Sequence, residues 1–245
     1  MIKTESASHE NRATNQLLSS IPAHVMRSIG ADFVRVRLNA GSTLYEVGDT
    51  IDHLYFPETA VLAIDVRMRD GSSVPVFTVG SEGMAGVSAI LGGLHSSMRA
   101  CVVGSGACLK LAASAVPRIA QHESVRRMMQ RYVVAFLGCI AQFYACGRAH
   151  NVLQRCAVQL LMTSDRLAST EFLLTQEMLA GLLGLRRVNV GMAAQKLQRM
   201  GCIEYVRGKI RVRDRPRLES LACECYAVTQ RYLAGMDDNR TAFAR

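Results

Sequence analysis

The chain has 245 residues, 49% of them apolar and 20% charged, with a formal net charge of +9. That apolar content excludes a largely disordered chain and suffices for one large domain or two smaller ones with separate cores. The charge is uneven: residues 1–150 carry 14 Lys and Arg against 11 Asp and Glu, whereas residues 186–217 carry 10 against 2. So dense a basic stretch suits a polyanion, because each phosphate contact releases condensed counterions; a merely solvated basic surface is the alternative. Met1 to Gln16 is polar and mixed in charge, unlike a signal peptide, and no apolar run approaches the roughly 20 residues that span a bilayer. No membrane partner is expected. Eight cysteines, at 101, 108, 139, 146, 156, 202, 223 and 225, form no Cys-x-x-Cys pair and sit mostly among apolar neighbours. They read as small core residues of a protein in a reducing cytoplasm.

A short helix is predicted around Asn15–Arg27, and the chain then becomes strand-like. Val34-Arg35-Val36-Arg37-Leu38 alternates strictly, as a half-buried strand does. Turn signals follow at short spacing, among them Gly41, Gly48-Asp49, Asp70-Gly71, Gly80-Ser81, Gly92-Gly93 and Gly104-Ser105-Gly106. Between them lie strand candidates at 54–56, 61–68, 74–79, 100–103 and 108–111, and Asp70-Gly71 between two such runs marks a hairpin. The spacing predicts an antiparallel barrel or jelly roll.

After Pro117 the period changes. Val125, Met129, Tyr132, Phe136, Cys139, Phe143 and Cys146 recur in alternating steps of four and three, a heptad seam on a helix of about 25 residues. The expected cover for that seam is a second copy of the chain, giving a two-fold dimer; packing on its own domain is the alternative. In the dimer Cys139 and Cys146 would face their symmetry mates and could respond to oxidation, although packed thiols are the simpler reading. Gly147 and Asn151 then break and recap the helix, and an amphipathic segment follows at 152–167.

The stretch from Gln176 to Gln195 reads as a helix-turn-helix. Ala180 is small where a second helix must cross, Gly184 can take the positive φ of the turn, and Val190 buries a branched side chain in the same small core. Leu179, Leu183, Leu185 and Ala193 fill the remaining inward positions. Arg186, Arg187 and Asn189 are left facing outward and can hydrogen-bond base edges in a major groove. Residues 202–213 then read as a hairpin turning at Gly208, a wing that offers Lys209, Arg211 and Arg213 to phosphates. Two symmetric copies would read an inverted repeat with half-sites about one helical turn apart. Cys223-x-Cys225 supplies two ligands where structural zinc takes four, and no His-x-x-x-His accompanies it, so no metal site is expected. His150 at the helix break is expected to be a hydrogen-bonded cap.

This order of parts resembles the cyclic-AMP receptor protein / fumarate–nitrate reductase regulator (Crp/Fnr) superfamily of bacterial transcription factors over residues 15–235. The most specific portions are Gly41-Ser42-Thr43-Leu44-Tyr45-Glu46-Val47-Gly48-Asp49, Val79-Gly80-Ser81-Glu82-Gly83-Met84-Ala85-Gly86 and residues 174–203. The resemblance implies an α+β fold: a cyclic-nucleotide-binding-like β-roll at 15–120, a dimerisation helix at 121–150 and a winged helix-turn-helix at 151–235. It places Arg187 where the family's guanine-reading arginine lies. Val188 replaces a frequent glutamate and can offer only apolar contact, Asn189 could pair with adenine, and Met192 replaces a further polar reader. Thr175 fits an N-cap, and the resemblance adds a phosphate contact. The expected DNA-binding set is therefore Thr175, Gln176, Arg186, Arg187, Val188, Asn189, Lys196, Lys209 and Arg211.

At the sensing end the family's Gly-Glu-Leu turn corresponds to Gly86-Val87-Ser88, and its phosphate-gripping Arg-Ser/Thr-Ala to Met98-Arg99-Ala100. Val87 and Met98 lack the required charges, and Arg99 is displaced by one position to the opposite strand face. Cyclic AMP bound in the usual manner is not expected, nor an iron–sulfur cluster, since the N-terminal cysteine cluster is missing. Gly83, Met84, Ala85, Gly86 and Arg99 remain the candidates for another effector, whose identity is unknown, and no cofactor is expected to be required for DNA binding. Walker, Gly-x-Ser-x-Gly and His-Glu-x-x-His motifs are absent, so no enzyme is expected. The expected partners are double-stranded DNA, a second copy of the chain and, as a further candidate, RNA polymerase. An effector-independent regulator and a winged-helix protein-interaction module stay open as alternatives.

Overall fold

A computed structural model describes residues 3–4, 15–93 and 95–234. The chain opens with β1 (Lys3–Thr4), α1 (Gln16–Ser19) and α2 (Ala23–Ile29). The short helix expected at 15–27 is thus two helices, divided just before Pro22, which occupies the N-cap of α2. The β-roll follows: β2 (Phe33–Leu38), β3 (Thr43–Tyr45), β4 (His53–Pro57), β5 (Val61–Arg67), β6 (Ser73–Val79), then α3 (Val87–Ile90), β7 (Arg99–Gly104) and β8 (Gly106–Ala112). Two antiparallel sheets, ordered β1-β2-β8-β4 and β3-β7-β5-β6, enclose a core that includes Leu38, Leu54, Phe56, Leu62, Val79 and Leu111. The Asp70-Gly71 hairpin joins β5 to β6 as expected, and β3 is a strand the sequence pattern did not isolate.

After α4 (Val116–Ile119) comes the 27-residue α5 (Glu123–Ala149), then α6 (Val152–Arg166), entered through a capping box of Asn151 and Gln154. The C-terminal domain continues with β9 (Glu171–Leu173), α7 (Gln176–Leu183), α8 (Arg187–Arg199), β10 (Ile203–Val206), β11 (Lys209–Val212), α9 (Arg215–Leu221) and α10 (Cys225–Ala234). Its own core gathers Cys156, Leu160, Leu161, Phe172, Leu179 and Val190 among others.

The seam read from the sequence is covered by its own chain. Val125, Met129, Tyr132, Phe136 and Cys139 are buried in the core of their own β-roll, with Phe143 packed against it. Phe77 of β6 meets Phe136 edge-on at 5.5 Å and Phe143 at 5.9 Å. Cys146 is buried against Val158, Met162, Cys223 and Cys225 of the same chain. The expectation fails because a heptad records one covered helix face without naming its cover. A second stripe on α5, at Gln130, Val134, Leu137, Ala141, Tyr144 and Arg148, has the same four–three spacing and faces solvent. Val134 is 66% exposed, Leu137 60% and Tyr144 71%. By length and apolarity alone α5 could cross a membrane, contrary to the reading of short apolar runs. Its packing on the β-roll and its arginines at 126, 127, 131 and 148 fit a spine instead.

The turn between β6 and α3 packs tightly on α5. Tyr132 is fully buried and its hydroxyl donates to the Met84 carbonyl at 2.7 Å. A Cβ on Gly83 would lie 2.8 Å from that hydroxyl, closer than a side chain can come. One residue earlier, Glu82 reaches Arg166 at the end of α6.

Candidate DNA-reading surface and domain junction

Thr175 caps α7, its hydroxyl accepting from the Met178 N–H at 3.2 Å. Gly184 ends the helix in the left-handed region (φ 60°, ψ 39°), and the Leu185 N–H returns to the Ala180 carbonyl at 3.0 Å. That closure turns the chain into α8, where Val190, Ala193, Ala194 and Leu197 are buried. Leu179 and Ala180 are buried as expected, whereas Leu183 and Leu185 are only half-buried. Arg186, Arg187, Val188, Asn189, Met192, Gln195 and Lys196 are exposed, so one open face carries guanidinium, amide and apolar groups together. Gln176 Oε1 lies 3.1 Å from where a Cβ on Gly191 would sit, so the start of α7 rests on α8 beside that face. The structure thus sets Gln176 beside α8, the helix that carries the exposed candidates Arg187, Val188, Asn189 and Lys196.

The wing is an antiparallel hairpin pairing Val206 with Lys209, extended by β9 through Ile210 and Phe172. It is anchored by Tyr205, whose hydroxyl donates to the Leu174 carbonyl at 2.8 Å and whose N–H donates to Gln198 Oε1 at 2.9 Å. Lys209 and Arg211 are exposed but not free: both pair with Glu171, Arg211 at 2.7 Å. Arg213 lies 3.6 Å from Glu204. Hydrogen bonds from Lys209 and Arg211 hold the Glu171 carboxyl below its ordinary range. Sequence reading missed Glu171 because it lies some 40 positions away and reaches the wing only through the β9–β11 ladder.

The effector candidates are engaged within the β-roll. Met84 and Ala85 are buried core, and Gly83 is sealed by Tyr132. Arg99 is held at the start of β7 by Glu46 (3.1 Å) and Asp65 (3.4 Å), with Thr43 accepting at 3.1 Å. Burial raises the Asp65 pKa despite Arg99, and the Cys101 thiol also donates to it.

An ion pair spans the junction of the two domains, beside the apolar packing of Tyr232 and Leu233 on the N-terminal core. Arg166 Nε lies 2.7 Å from Glu82, its Nη1 lies 2.6 Å from Thr78 Oγ1, and its guanidinium stacks 5.2 Å from the Phe77 ring centroid. At the elbow between α5 and α6, four side chains the sequence had not grouped come together: Cys146, His150, Cys223 and Cys225. The i, i+4 spacing of Cys146 and His150, with Cys223-x-Cys225, was the available signal.

A β-roll, a long helix and a winged helix-turn-helix in this order are the parts of a DNA-binding transcriptional regulator. Residues 35–123 match the family model for the cyclic nucleotide-binding domain, and residues 154–221 that for the Crp-like helix-turn-helix domain. The transcriptional regulatory protein btr of Bordetella pertussis is 27% identical over 196 residues, covering 76% of this chain and 80% of that protein. FixK2 from Bradyrhizobium japonicum superposes with a TM-score of 0.65 at 17% identity, covering 78% of this chain and 98% of that one. A CRP-family transcriptional regulator from Thermus thermophilus gives a TM-score of 0.63 at 21% identity, over 76% and 95%. The chain belongs to the Crp/Fnr family of transcriptional regulators, which are not enzymes, and its helix-turn-helix is a DNA-binding one.

Proposed function

We propose that the protein is a homodimer that reads a palindromic promoter site, and that its β-roll answers to a signal other than cyclic AMP. The observation that carries the reading is the open N-terminal turn of α8, where Arg187, Val188 and Asn189 are exposed beside Gln176. Arg187 is the reader of guanine, Asn189 of adenine, and Val188 packs on a thymine methyl. Thr175, Gln176, Arg186 and Lys196, with Lys209 and Arg211 of the wing, contact phosphates and set the register.

The dimer forms along the second stripe of α5. Val134, Leu137 and Tyr144 are large apolar side chains on one exposed helix face, the arrangement a two-stranded spine covers. Six of the seven residues expected at that interface are buried in their own chain, and the seventh, Phe143, is half-buried against the same core. Cyclic AMP is disfavoured by Val87 and Met98 at the positions of the carboxylate and arginine, and by the engagement of Arg99 with Glu46 and Asp65. In this reading the protein works in a bacterial cytoplasm, with RNA polymerase as a third partner at the promoter.

The test is genomic footprinting followed by titration of the recovered site against scrambled duplex. A short inverted repeat with half-sites one turn apart supports the reading; uniform protection, or equal affinity for scrambled DNA, defeats it.

A further inference from the structure

Four side chains that DNA reading does not use meet at the elbow between α5 and α6. Cys146 and His150 stand one helical turn apart at the end of α5, and Cys223 and Cys225 lie where α9 gives way to α10. Their ligand atoms all lie within 4.8 Å of one another. Cys146 Sγ is 3.6 Å from Cys223 Sγ, and Cys225 Sγ is 3.5 Å from His150 Nδ1. A tetrahedral zinc ion with ordinary Zn–S and Zn–N bonds has S···S edges of about 3.8 Å and S···N edges of about 3.6 Å. We propose that Cys146, His150, Cys223 and Cys225 hold one Zn²⁺ in a closed Cys₃His site that latches α10 onto the elbow.

The surroundings are those of an ion's outer shell. His150 Nε2 donates to Glu224 Oε2 at 3.2 Å, which leaves the Nδ1 lone pair pointing at the cluster. That carboxylate–histidine arrangement is the one that fixes ring orientation and ligand basicity at zinc. Gln142 Nε2 donates to Cys225 Sγ at 3.0 Å, a contact suited to thiolate, and offsets the charge of three thiolates around a dication. The three cysteines are buried, so water does not compete for the fourth position. Binding releases the thiol protons to solvent and involves no electron transfer. Four mutually adjacent ligands suit one ion rather than a cluster, whose ligands sit on different metal atoms. A Cys146–Cys223 disulfide would leave Cys225, His150 and the Glu224 contact without a role.

The test uses the full-length protein, purified under reducing conditions and analysed for metal by mass spectrometry, then stripped and titrated with Zn²⁺ and Co²⁺. The expected result is about one zinc per chain and, with Co²⁺, thiolate-to-metal charge transfer with intense tetrahedral d–d bands. Glu224→Gln, an exposed change that spares the fold, should weaken Zn²⁺ binding about 10–100-fold. Cys225→Ser should abolish the charge-transfer signature of the full set. Wild-type protein that neither retains nor takes up Zn²⁺ stoichiometrically would overturn the proposal. So would a Co²⁺ spectrum unchanged in Cys225→Ser, or a native Cys146–Cys223 disulfide in the reduced preparation.

Discussion

Arg166 Nε and Glu82 Oε1 are 2.7 Å apart, and this buried ion pair ties the last turn of α6 to the loop that follows β6. Both side chains are withdrawn from water, so removing one leaves the other's charge uncompensated at the domain junction, which typically costs about 3–5 kcal/mol. Arg166→Ala should therefore lower stability by about that amount and split a single denaturation transition into two. Urea unfolding followed separately by circular dichroism and by tyrosine fluorescence checks both expectations.

The two stripes of α5 should respond to mutation in opposite ways. Leu137→Glu places a charge on the open stripe and should yield a folded monomer that has lost most operator affinity, as read by analytical ultracentrifugation. Tyr132→Phe, on the covered stripe, should leave the dimer intact. It removes the donor to the Met84 carbonyl, and an unsatisfied buried carbonyl costs about 1–3 kcal/mol.

Arg187→Ala should lose sequence preference while keeping most nonspecific affinity. The expected loss on the operator is about 1–3 kcal/mol, with little change on random duplex. Equal losses on the two DNAs, measured by fluorescence anisotropy at fixed salt, would count against a base-reading role.

Glu171 acts as an internal counterion for the wing. Glu171→Gln should free Lys209 and Arg211, raise affinity for every DNA sequence and steepen the salt dependence. Lys209→Ala should correspondingly flatten the salt slope by less than the one unit expected of an unpaired lysine. The carboxyl's depressed pKa contributes stability that is present above the ordinary carboxylate range and is lost as pH falls through its lower folded value. Acid unfolding of Glu171→Gln should accordingly begin from a less stable neutral state and fall less steeply, a comparison made by urea titration from pH 7 to 3.

The helix-turn-helix was legible because each of its constraints is local. Ala180, Gly184 and Val190 meet within one short stretch, and the φ of Gly184 and the burial of Val190 match their reading. The longer strands were legible from alternation and turn spacing, whereas the short β1, β3 and β9 were not. The spine was legible as a helix but not by face. Val125 to Cys146 and Gln130 to Arg148 share one period, and it takes contacts such as the docking of Phe77 on Phe136 and Phe143 to show which stripe its own domain covers. The Cys146–His150 and Cys223–Cys225 pairs are more than seventy positions apart, and the fold of the whole C-terminal domain intervenes.

Gly83 has a consequence beyond its own turn. Met84 on one side of it is bolted to the axle through Tyr132, and Glu82 on the other is bolted to the reading head through Arg166. Three successive residues thus touch both α5 and α6, and the middle one has no room even for a methyl group. A side chain at position 83 would have to displace the Tyr132 ring that holds Met84.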